Sequence, residues 1–179
     1  MRLNKFSNII IVTIAATAAA LSGRAQNPSA SPAANLAPIA FFTAHEWDAS
    51  LPNTPDGKTR KIHAQFSWTQ TGQAIRINNQ MVTDGKPAPY IDGLYFWDPQ
   101  QHAIAFCYIG AEGALTRGTV KAENGKLIHE FQQTLPDGKT SEYVARVTPN
   151  GDKSWENEIQ TRGEKGLTTI VKVRYEATP

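Results

Sequence analysis

The chain has one cysteine, Cys107, so no disulfide can form within it, and the disulfide-stapled class of small domains is excluded. It also lacks a surplus of charge. There are 18 Lys and Arg against 16 Asp and Glu, and three of the basic residues (Arg2, Lys5, Arg24) lie in the first 25 positions, where there is no acid. Without that stretch the balance is −1. A chain so near neutrality has no electrostatic basis for binding nucleic acid or an anionic membrane surface. The strings Gly-x-Ser-x-Gly, Gly-x-x-x-x-Gly-Lys, Gly-x-Gly-x-x-Gly and His-Glu-x-x-His are missing, so no catalytic residue is assigned. The four histidines, His45, His63, His102 and His129, stand well apart, and no metal site is predicted. Only one long apolar run exists, Ile9 to Leu21, and it is shorter than a membrane span requires.

What is present begins with an address. Arg2 and Lys5 precede that apolar run, and Gly23 and Ala25 stand at −3 and −1 of a cut before Gln26. This is the layout of a secretory signal, so residues 1–25 are read as removed and the protein as exported, to the periplasm or beyond. No integral membrane segment should remain after that cut. Residues 26–38 are uncharged, small and proline-containing, and are predicted to be a flexible linker. The domain is then 39–179, long enough at 40% hydrophobic composition for one core. Cys107 lies in the apolar run Ala103 to Ile109 and reads as a small buried residue.

From Glu46 onward, short runs rich in β-branched and aromatic residues alternate with turn signals such as Asp84-Gly85, Asn124-Gly125 and Asn150-Gly151. In Ile62 to Trp68, the residues Ile62, Ala64, Phe66 and Trp68 share a face, with His63, Gln65 and Ser67 on the other. Period two is the signature of a strand; a helix would scramble it. About ten strands are predicted, after a short helical turn over Pro38 to Ala44. Connections this short require antiparallel neighbours, and a meander can hide both its edges by closing on itself. The predicted fold is therefore all-β, a single antiparallel meander closed into a roughly ten-stranded barrel, with a two-sheet sandwich as the alternative. Gln80 to Pro89 is read as the one longer loop and a possible cap over the barrel mouth.

Three features resemble the lipocalin-like, or calycin-like, barrels, and in particular their small exported bacterial members. Trp47 opens the first strand after a helical turn, Arg174 sits on the last strand, and the meander between them has similar spacing. His45 stands where the lipocalin Gly-x-Trp motif has glycine. The resemblance implies that Trp47 and Arg174 form a cation–π lid at the closed end, a structural role. It implies no cofactor either: haem-binding barrels of this kind use a histidine near the C-terminal strands, and this chain has none after His129.

Inside such a barrel the candidate ligand-binding residues are Trp68, Tyr95, Tyr108, His129, Phe131, Tyr143 and Trp155. His129 stands out because it shares an apolar face with Leu127 and Phe131. Along Trp155-Glu156-Asn157-Glu158-Ile159, the inward set is Trp155, Asn157 and Ile159, which leaves both glutamates to solvent. A cavity that is mostly apolar with a few placed polar groups suits a small apolar or amphipathic molecule. Two other readings stay open: an enzyme (isomerase, cyclase or hydrolase) working in the cavity, and a filled barrel acting through its rim as an interaction module.

Overall fold

The computed structural model describes residues 34–163 and 166–178. The signal at 1–25 and linker residues 26–33 lie outside the described residues. Ten strands form the fold: β1 (Trp47–Leu51), β2 (Arg60–Trp68), β3 (Ala74–Thr83), β4 (Lys86–Asp98), β5 (Ala103–Gly110), β6 (Leu115–Glu123), β7 (Lys126–Thr134), β8 (Thr140–Pro149), β9 (Ser154–Gly163) and β10 (Gly166–Ala177). Each pairs antiparallel with its chain neighbours, and β10 returns to β1, so the sheet is a closed barrel and not a sandwich. The closing seam is short, Trp47 against Ala177 and Asp48 against Glu176. The backbone N–H of Thr178 extends it by donating to the Glu46 carbonyl at 2.9 Å.

Local chemistry sets the register. Asp84-Gly85 and Asn124-Gly125 both have positive φ at two successive residues (49° and 75°, 51° and 73°). That is the two-residue turn whose twist matches antiparallel strands. Register then carries alternation around the ring: Ile75 faces Tyr95, Tyr95 faces Phe106, and Phe131 faces Tyr143. Gly118 separates Phe106 from Phe131 in the same row. The inward faces merge into one core containing Ile75, Ile77, Phe106, Val120, Leu127, Val147 and Val173.

One end of the barrel is closed by a 3₁₀ segment, Ala34–Ala44. Its buried residues are Leu36, Ile39 and Phe42. Their spacing of three follows from three residues per turn, which stacks them on one face. Phe42 enters the barrel and stacks on Phe66 at 4.8 Å, with Trp155 edge-on at 5.1 Å. The helical segment therefore starts earlier than Pro38, and residues 34–38 belong to the packed domain and not to a linker. Composition misled there because Ala, Asn and Pro carry little apolar surface, and Leu36 alone supplies the anchor.

Three further expectations are corrected. Gln80 to Pro89 is a hairpin, not a loop: β3 and β4 pair through Thr83 and Lys86. Pro87 and Pro89 fit because β5 ends at Gly110, opposite Ile91, so this stretch of β4 has a partner on one flank only, the edge setting in which proline is tolerated. Cys107 is half-buried, not core, because Phe106 and Tyr108 take the inward positions and turn it outward. Arg174 does not cover Trp47. Val173 and Tyr175 are buried, alternation sends Arg174 outward, and its guanidinium reaches Ser154 Oγ at 3.1 Å and Glu176 at 3.3 Å. Trp47 is buried, donating its indole N–H to the Phe42 carbonyl at 2.8 Å.

The plug, and not an Arg174 lid, should then hold this end. In urea unfolding, Phe42→Ala is expected to cost about 3–5 kcal/mol, the usual range for emptying a buried aromatic position. Arg174→Ala should cost under about 1 kcal/mol, as exposed ion pairs do. Equal losses would restore the lid.

Candidate functional site

Above Phe42 the barrel keeps an internal cavity of about 170 Å³. Its walls come from eight of the ten strands. Phe66, Tyr95 and Trp155 surround the Phe42 end, and Ile62, Ile77, Tyr90, Ile91, Phe106, Tyr108 and Ile159 also contribute. Five of the seven residues proposed from sequence line it: Tyr95, Tyr108, His129, Phe131 and Trp155. The other two do not. Trp68, at the end of β2, packs against the core without lining the cavity. Tyr143 stacks on Phe131 at 5.3 Å without reaching the cavity. Among the described residues the lining holds no Lys, Arg, Asp or Glu.

The centre of the site is a buried pair. The Tyr95 hydroxyl and His129 Nε2 share a hydrogen bond of 3.2 Å. Phe106 stands edge-on to the imidazole at 5.5 Å and tilted to Tyr95 at 5.4 Å. Burial disfavours the imidazolium, and no carboxylate is near to offset it, so His129 is pushed down to about 4. Burial also raises the Tyr95 and Tyr175 hydroxyls beyond the ordinary phenol range. The pair is neutral across physiological pH.

Four polar atoms facing this space have no protein partner: Asn79 Oδ1, His129 Nδ1, Trp155 Nε1 and Asn157 Oδ1. Sequence reading placed Asn157 inward but missed Asn79. The run Asn78-Asn79-Gln80 shows no alternation, and only the pairing of Asn79 with Ala64 and Ile91 reveals which way it faces. It also missed the role of two glycines. A Cβ at Gly93 would collide with Tyr108, and one at Gly118 with Phe131. Both glycines give neighbouring aromatic residues room to lie against the wall.

The remaining candidates lie outside the cavity. His63 is on the outer face, its Nδ1 2.8 Å from Asp48 and its Nε2 3.3 Å from Glu46. Lys61 meets the same Asp48 at 2.7 Å. Partial burial works to raise the Asp48 carboxyl, but hydrogen bonds from Lys61 and His63 overcome it and hold the pKa below its usual value. Among the described residues, no three His, Cys, Asp or Glu side chains converge as a metal site would require. No helix among them is long and apolar enough to cross a membrane.

No protein-family model matches the chain, and no curated protein matches its sequence. Solved structures do resemble it. Rv2717c from M. tuberculosis aligns with a TM-score of 0.55 at 11% identity, over 83% of this chain and 99% of that one. EF1p2_mFAP2b bound to DFHBI aligns with a TM-score of 0.35 at 11% identity, over 77% and 98%. The first likeness is one of fold, and the barrel is lipocalin-like in architecture.

The buried histidine makes stability depend on pH. In the unfolded chain His129 takes a proton near its ordinary value of 6.5; in the folded chain it does so only at about 4. The unfolded state thus binds more protons in that window, and stability falls as pH drops through it, by about 3 kcal/mol in all. His129→Gln keeps a hydrogen-bonding group and does not titrate. Urea unfolding at pH 7 and pH 4 should show the wild type losing about that much more than the variant. Equal losses would place His129 in contact with water.

Proposed function

We propose that this protein is an exported binding protein that holds one small, mainly apolar molecule inside its barrel. The observation that carries the proposal is the cavity of about 170 Å³, walled by aromatic and aliphatic side chains and floored by Phe42. The interior is not filled by its own side chains, which argues against the interaction-module reading. A space near 150 Å³ takes one benzene-sized ring, so the buried part of the pocket suits a single ring. The Tyr95–His129 pair argues for binding over catalysis. An imidazole with a pKa of about 4 is a weak general base at neutral pH, and a phenol raised by burial is a poor acid. Export follows from the charged, apolar and small-residue layout of residues 1–25.

Toluene tests the cavity directly. Titration followed by aromatic proton NMR should saturate with a Kd of about a millimolar, near −4 kcal/mol, within reach for seven heavy atoms. Shifts should centre on Tyr95, His129 and Trp155. Ala145 lines the cavity between His129 and Ile159, so Ala145→Leu should abolish saturation while the barrel stays folded. Shifts that scatter without saturating would remove the binding role. N-terminal sequencing of the native protein should begin at Gln26; an intact Met1 would remove the export.

A further inference from the structure

A cavity meant only for hydrocarbon has no need of polar walls. Here Asn79, His129 and Trp155 are each at least nine-tenths buried, line the cavity, and present a polar atom with no protein partner; Asn157 presents a fourth. Buried polar groups without partners disfavour the folded state, and leucine or phenylalanine at these positions would avoid that cost. Their placement is not one local patch. Asn79 is on β3, His129 on β7 and Asn157 on β9, and each of the last two is four strands from β3 around the ring. A molecule in the cavity therefore meets polar atoms from facing walls.

The chemistry of those atoms is mixed. The indole N–H of Trp155 can only donate, and the amide oxygens of Asn79 and Asn157 can only accept. No charged side chain among the described residues lines the space, and Arg60 and Glu112 act on Tyr90 at its edge with opposite signs, so an ion entering it would be desolvated without a net counter-charge. The volume admits about one ring.

We infer that the ligand is an uncharged, single-ring molecule bearing both a hydrogen-bond donor and an acceptor at its edge. Its donor meets the Asn79 or Asn157 oxygen and its acceptor meets Trp155 Nε1–H. The inference rests on the binding function proposed above and narrows it to one ligand class.

Three probes of similar size test it by calorimetric titration at pH 7: toluene, which is apolar; benzamide, which is neutral with a donor and an acceptor; and benzoate, which is charged. Benzamide should bind at least tenfold tighter than toluene, and benzoate at least a hundredfold weaker than benzamide. In Asn79→Leu/Asn157→Leu the benzamide preference should fall to within twofold of toluene, and the melting temperature should rise, because unsatisfied groups have been removed. If that double variant does not fold, Trp155→Phe, which removes the N–H together with part of the indole surface, should still weaken benzamide several-fold more than it weakens toluene. Toluene binding as tightly as benzamide would overturn the inference and leave the binding function standing. Benzoate matching benzamide would overturn the requirement for neutrality. Failure of all three to bind would overturn the proposed function itself.

Discussion

Ten strands make a ring wider than ordinary side chains can fill, and the rest of this structure answers that constraint. Barrel diameter grows with strand number, and eight strands already enclose a space that side chains only just occupy. The sequence responds with large inward residues: Phe66, Tyr95, Phe106, Tyr108, Phe131, Trp155 and Tyr175. Rings of this size need flat wall to lie on, which Gly93 and Gly118 supply opposite Tyr108 and Phe131. Even so, the strands do not close the end where β1 begins. A residue from outside the sheet, Phe42, is brought in to do it, and what remains above Phe42 is the cavity. Plug, aromatic wall and pocket are thus three consequences of one geometric surplus.

The fold was legible because its two signals are local. Period-two alternation appears in Ile62 to Trp68 and in Val171 to Tyr175, and Asp-Gly or Asn-Gly turns mark the ends. Where the signals conflict, reading fails. Pro87 and Pro89 argue against a strand, and only the three-dimensional fact that β4 has one flank free there makes them acceptable. Leu36 was lost for another reason: a single apolar residue at a spacing of three from Ile39 has no weight until the segment is known to be 3₁₀. The Trp47–Arg174 pairing came from resemblance, and alternation overrules it, since Val173 and Tyr175 must face inward together.

The site was legible in part for the same reasons. His129 announces itself because Leu127 and Phe131 flank it on one face, and Trp155 and Asn157 follow from the inward set of β9. Asn79 is hidden in a polar run, and Trp68 shares the correct face but lies too near the strand end to reach the cavity. Alternation tells which way a side chain points and not how far along the barrel it sits. Depth depends on register across several strands, which no single run contains.

The Phe42 plug also explains how closure and pocket are linked. The segment Ala34–Ala44 has no charged residue, so apolar packing must hold it. One polar contact orients it, the indole N–H of Trp47 donating to the Phe42 carbonyl. Trp47 is at the same time paired with Ala177 on β10 and Ala64 on β2. The ring closes at this residue, and the seam beside it contains only two residue pairs. One side chain therefore lies at the junction of the sheet seam and the cavity floor. A shift that opens the seam also moves the carbonyl that positions Phe42, so the depth of the pocket is coupled to the integrity of the barrel. That coupling favours a pocket of fixed shape, which suits recognition of one compact ring better than accommodation of many flexible chains.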